Sequence, residues 1–285
     1  MKSSREFAAA LVTLAWMGSS LAAEAERLVV PLSDPSKPAA IEVSLVSGSI
    51  RVTGSATKEV VIDARSEDEG EAEEREERPE SGDRQGMKRI PNTALGLEAE
   101  EENNRVSISA DSWSREISLR IEVPAGSSLE LSTVNGGDIE VEGVTGELEL
   151  SNTNGEIHVK DVRGPVSATT VNGDISVVFT SAMVAAPMAF STLNGDVDVT
   201  LPGTLKADVR LRSDNGEIYS DFEIAMDKTP ARIDEEREKG RYRVVVAREM
   251  TGKIQGGGPE LFLKTFNGAE LLGQLGAVRE WGAEF

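Results

Sequence analysis

Apolar and polar residues alternate with a period of two along most of the chain, the spacing that gives a strand one inward and one outward face. Ile139 and Val141, Ile157 and Val159, Ile175 and Val177, and Val197 and Val199 fall on one side, while Glu140, His158, Ser176 and Asp198 fall on the other. The period is two, not 3.6. Between these segments lie second short strands, at 147–150 and 165–168, each introduced by a glycine-containing corner at 144–146 or 162–164. Residues 41–46, 49–52 and 60–64 alternate in the same way and are expected to begin the array, with Ser47-Gly48-Ser49 as a weaker corner. An interruption at 225–240, rich in Glu and Arg, is expected to be a short helix or a charged hairpin tip before a strand at 242–247. A final strand at 261–266 re-enters the pattern after Gly256, Gly257 and Gly258.

The alternation belongs to a repeat. It recurs six times, as STVNGGDIEV (132–141), SNTNGEIHV (151–159), TTVNGDISV (169–177), STLNGDVDV (191–199), RSDNGEIYS (212–220) and, degenerate, KTFNGAELL (264–272). The turn asparagines are Asn135, Asn154, Asn172, Asn194, Asn215 and Asn267, and the first five are separated by 19, 18, 22 and 21 residues. Asn-Gly tolerates positive φ at both positions, which in a two-residue hairpin is the type I′ combination. An antiparallel meander or sandwich of hairpins is therefore one reading. The other is a β-solenoid, in which the same corner recurs in every coil about 4.8 Å from its neighbours, and near-identical units at nearly constant spacing favour it. One extra residue after Asn-Gly, Gly137 in the first unit and Ala269 in the last, marks the ends of the array as atypical.

The N-terminus changes the setting. Lys2 and Arg5 precede an apolar run from Phe7 to Met17 and then small residues up to Ala23, the form of a secretory signal peptide (1–23). At eleven residues the run falls short of the roughly 20 that a spanning helix needs, and no span is expected in the mature chain. Residues 24–285 are then read as one repetitive β domain. It is interrupted at 65–95 by an acidic insertion, almost without aliphatics between Arg65 and Arg89, with the composition of a disordered excursion. With no cysteine the chain has no disulfide, so packing must hold it. A formal net charge of −20 argues against nucleic acid as a partner, because Lys and Arg drive that binding.

Candidate chemistry is sparse. His158 is the sole histidine, so a zinc site of usual composition and a Cys-His pair are excluded, and any Ser-His-Asp triad would have to use it. It sits on the polar face of a strand with no nucleophile elbow nearby, so no catalytic residue is assigned and no cofactor is expected. The turn asparagines are read as structural, forming a ladder of amides that both donate and accept. The acids after them, Asp138, Glu156, Asp174, Asp196, Glu217 and Glu270, would form a row along one edge. It is read as a solvated edge, with calcium bridging as the alternative.

The pattern IEVPAGSSLELSTVNGGDIEV at 121–141, the VNGDI-type units and the closing GGGPELFLKTFNG at 256–268 resemble the bacterial "putative adhesin" family of unknown function. The likeness covers 41–64 and 96–272. It implies a right-handed, β-helix-like stack in an envelope or secreted protein, at the periplasm, cell surface or outside the cell. The expected role is non-catalytic and adhesin-like, toward an envelope or surface protein or a glycan. A carbohydrate-active β-helix enzyme and a periplasmic ligand-binding or sensory module are the alternatives.

Overall fold

The computed structural model describes residues 26–66, 96–110, 116–180, 185–227, 233–238, 241–246 and 249–276. The expected leader and nearly all of the acidic insertion lie outside the described residues; the strand Glu59–Ser66 runs into the insertion's first two positions. Every element described is a strand, and they form two large sheets and one small one. The antiparallel meander is not what forms. Asn-Gly corners join a strand of one large sheet, sheet B, to a strand of the other, sheet A (the first and second strand named for each coil below), and each strand pairs in parallel with its counterpart in the next coil.

Eight coils, six of them turned at an Asn-Gly pair, stack in a solenoid-like array. In spatial order, coil 1 is Arg105–Ala110 with Ile117–Pro124, and coil 2 is Ala40–Ser47 with Ile50–Ser55. Coil 3 is Ser128–Asn135 with Ile139–Glu142, coil 4 Leu148–Asn154 with Ile157–Val162, and coil 5 Val166–Thr169 with Ile175–Phe179. Coil 6 is Met188–Ser191 with Val197–Leu201, coil 7 Glu260–Thr265 with Glu270–Gln274, and coil 8 Ala207–Ser213 with Ile218–Ser220.

Spatial order departs from chain order at both ends. Residues 40–55 do not begin the stack; they are inserted between coils 1 and 3, while the chain passes from coil 1 to coil 3 over residues 125–127. Ala125 fixes that crossing, donating its N–H to the Ser55 carbonyl and accepting from Thr145 N–H. At the other end the chain runs from coil 6 to coil 8 and then returns to fill coil 7 between them. That return explains the long gap between Asn215 and Asn267. Antiparallel strands flank the ends: Glu59–Ser66 and Glu26–Pro31 extend sheet A beside coil 1, and Leu97–Glu102 extends sheet B there. Met250–Ile254 and Ile224–Met226 do the same beside coil 8 in sheet B. Capping strands of opposite direction interrupt the parallel ladder that a like coil could otherwise continue. The 225–240 interruption contains no helix among its described residues; Ile233–Glu238 pairs with Arg241–Val246 as an antiparallel hairpin.

Inward side chains stack in columns one residue wide. Leu119, Ile50, Ile139, Ile157, Ile175 and Val197 form one in sheet A, and Val106, Ile41, Leu129, Leu148, Val166, Met188, Leu261 and Val209 one in sheet B, all buried in a single core cluster. A lone coil would leave both its flanks in water, so burial of these aliphatics, roughly 1.5–3 kcal/mol each, is realised only by stacking.

Candidate interaction surface

The corners owe their geometry to the stack and not to the hairpin chemistry expected of Asn-Gly. None of the six turn asparagines has positive φ. Glycine is required by close approach: a Cβ on Gly173 would lie 2.1 Å from the Gly155 carbonyl oxygen, and one on Gly195 2.2 Å from that of Gly173. The asparagine side chains run along the stack as a ladder. Asn172 donates Nδ2 to Asn154 Oδ1 at 2.8 Å, Asn194 to Asn172 and Asn267 to Asn194 at 2.7 Å, and Asn215 to Asn267 at 3.0 Å. The ladder stops short of Asn135: Asn154 donates instead to the Val134 carbonyl, beside a corner that Gly137 makes one residue longer.

A second ladder runs beneath the first, and sequence reading missed it. The residue two before each turn asparagine is buried or half-buried and donates to the corner glycine carbonyl of the preceding coil: Thr133 to Gly48, Asn152 to Gly137, Thr170 to Gly155, Thr192 to Gly173, Thr265 to Gly195 and Ser213 to Gly268. Its signal was present, since Thr, Ser or Asn occupies that place in all six units.

The acidic row is brought together on coils 3 to 6, as Asp138, Glu156, Asp174 and Asp196. The aspartates are more than a solvated edge. Asp138 accepts the Glu156 N–H and Asp174 the Asp196 N–H at 2.8 Å, and Asp196 accepts the Ala269 N–H at 2.7 Å. Glu156, one methylene longer, turns to His158 Nε2 at 2.8 Å. Glu217 holds the corresponding place on coil 8. Among the described residues no group of three or more His, Cys, Asp or Glu side chains is placed to hold a metal ion.

Glu270 leaves the row. Ala269 is not an extra residue but takes the acid's place, and Glu270 pairs in register with Val197 and Ile218, inside the aliphatic column. It is 1 % exposed; Oε1 accepts the Arg212 N–H at 3.1 Å and Oε2 has no hydrogen-bond partner among the described residues. Burial pushes its carboxyl up to about 7, against the backbone N–H groups of Arg212 and Thr265, which pull it down.

The outer faces carry their own rows. On sheet B, Ser109, Ser44, Ser132, Ser151, Thr169 and Ser191 hold equivalent outward positions on six consecutive coils. Glu42, Glu130 and Glu149 form the row beside them, with Arg105 reaching the first two at 3.6 and 3.8 Å. Toward coil 8 the row gives way to paired charges and an aromatic ring: Arg210 lies over the Phe262 ring at 5.1 Å from its centroid and pairs with Glu249 and Glu260. On the outer face of sheet A, Arg51 pairs with Glu140 at 2.5 Å and Lys160 with Glu142 at 3.2 Å, around a shallow depression of about 540 Å³.

A parallel stack of coils, most of them turned at Asn-Gly, with two open faces defines an all-β, solenoid-like protein. The chain belongs to the Toastrack DUF4097 family, whose model matches residues 17–255. No curated protein matches it. Two solved structures are similar: one from Clostridium sporogenes, described as a "putative cell adhesion protein", at 12% identity and a TM-score of 0.42, covering 88% of this chain and 100% of that one. The other, from Bacteroides fragilis and described as a "putative adhesin", is 11% identical with a TM-score of 0.41, covering 87% and 97%. No helix among the described residues is long and apolar enough to cross a membrane.

Proposed function

We propose that this is an exported, adhesin-like, non-catalytic interaction or scaffold protein of the cell envelope, and that the outer face of sheet B meets its partner. One observation supports the reading: six hydroxyls on consecutive coils repeat at the coil spacing, about 4.8 Å, along an open face. Each hydroxyl both donates and accepts. Such a periodic array suits a repeating polyol, an envelope glycan, and the neighbouring Glu42, Glu130 and Glu149 repel polyanions. Export rests on the leader, and intact-mass measurement of the exported protein should lack residues 1–22 or 1–23.

The test is capture from the organism's own envelope fraction on immobilised protein, in calcium and in chelator, with wild type and a Ser132→Arg, Ser151→Arg double variant. Wild type should retain an envelope glycan that the double variant, melting at the same temperature, releases. Equal retention by both, or cleavage of the retained glycan, would overturn the reading.

A further inference from the structure

We propose that Asn135 is the site at which the folded protein deamidates, and that the amide ladder protects the other Asn-Gly pairs. In an Asn-Gly pair the glycine backbone nitrogen, after losing its proton, can attack the asparagine Cγ. The new N–C bond closes a succinimide ring, and the Cγ–Nδ2 bond breaks to release ammonia. Water then opens the ring at either carbonyl, leaving aspartate or isoaspartate. The attack needs two freedoms: the side-chain amide must turn onto its own backbone, and the glycine N–H must be available to lose its proton.

Both are withheld at the central corners. The side chains of Asn154, Asn172 and Asn194 are each bonded on both sides, as donor to the preceding coil and acceptor from the next. The nucleophiles are tied as well, because Gly155, Gly173 and Gly195 donate their N–H groups to the carbonyls of Asn172, Asn194 and Asn267. Asn135 has neither restraint. Its side chain is exposed and makes no hydrogen bond among the described residues, since the Asn154 amide that would reach it goes to Val134 instead. Among the described residues, the following Gly136, at φ +55, is exposed and donates to no neighbouring coil, and the only atoms near a Cβ built on it belong to the Glu116 carboxyl. At the opposite end Asn215 remains tied through Nδ2 to Asn267.

The consequence would fall on one junction. The Asn135 carbonyl accepts the Gly48 N–H at 3.1 Å, where coil 3 meets the inserted coil 2. Isoaspartate would lengthen the main chain there by one methylene and add a carboxylate.

The experiment needs no variant. Folded protein is held in mildly alkaline buffer below its melting transition, digested with trypsin under mildly acidic conditions, and read by tandem mass spectrometry with an isoaspartate-specific methyltransferase assay alongside. Cleavage after Arg120 and Lys160 leaves Asn135 and Asn154 in one peptide, so each serves as the other's control. Asn135 should convert at least about tenfold faster than Asn154, Asn172 or Asn194, the ratio that a barrier difference of about 1.4 kcal/mol imposes. In denaturant the internal pairs should approach the rate of Asn135. Conversion of any internal pair in the folded protein as fast as Asn135 would overturn the proposal. So would an unreactive Asn135, or internal rates that unfolding leaves unchanged.

Discussion

Glu270 and Val197 occupy the same column position on adjacent coils, paired in register, so a carboxyl group stands among side chains that elsewhere end in methyls. One of its oxygens has a backbone donor and the other has none. An ionised carboxylate there lacks both water and a counter-charge, and the neutral acid is the form that fits.

The carboxyl is raised from 4.5 to about 7 on folding, so its contribution is fully present below pH 4.5 and is lost as the pH rises through 7. Melting temperature should fall between pH 5 and pH 8, reflecting a loss of about 3 kcal/mol. Glu270→Leu, which restores the aliphatic column, should remove that slope and raise stability at pH 8. A wild-type profile flat across this range would show that the carboxyl is not held neutral.

The buried hydroxyl ladder should carry measurable stability. Thr192→Val keeps the shape but leaves the Gly173 carbonyl without its donor, and should cost about 1–3 kcal/mol in denaturant unfolding. Thr169→Val, on the outer face, should cost less than about 0.5 kcal/mol. Equal effects would assign the bond no net value.

Along the acidic row, Asp174→Asn keeps an oxygen to accept the Asp196 N–H and should change stability by less than about 1 kcal/mol. Asp174→Ala removes the acceptor and should cost about 1–2 kcal/mol. Ile175→Ala, in the column alongside, should cost about 2–5 kcal/mol. Melts in calcium and in chelator complete the test: a calcium-dependent shift abolished by Asp174→Asn would mean that the row binds the ion.

Corner glycines are expected to resist substitution in proportion to their contacts. Gly195→Ala drives a Cβ to 2.2 Å from a backbone oxygen that cannot give way, and should be among the most destabilising single changes, above about 4 kcal/mol. At Gly126 the same change meets open space and should be neutral within about 0.5 kcal/mol. Circular dichroism melts of the two variants would compare them directly.

The strands and the stacked corners were legible because they follow from local periodicity: Ile157 and Val159 alternate, and Asn154-Gly155 recurs. Three things were not. The insertion of residues 40–55 and 260–274 as penultimate coils depends on which edges meet in space, and nothing local to Ile50 or Leu261 distinguishes an inner coil from an outer one. Counting Ala269 as an extra residue shifted Glu270 by one place; since the pleat has a period of two, that slip moved it from the core to the surface. The hydroxyls at Thr170 and Thr192 repeated visibly, but a small polar residue in a half-exposed strand reads as surface until its burial is known. The fold was thus largely readable, whereas the outer-face hydroxyl row emerged only when strands distant in sequence were set side by side.

The two inserted coils also order events in time. A chain emerging N-terminus first presents residues 40–55 before either neighbour exists, so this segment must wait, unpaired, until 105–110 and 128–135 have followed it. At the other end, residues 260–274 enter a slot already bounded by coils 6 and 8 and bond to both. That last segment acts as a keystone. Losing it would not shorten the stack by one coil but would cut coil 8 and its flanking strands away from the rest, so a break near the C-terminus should be felt as a split within the body and not as a trimmed end.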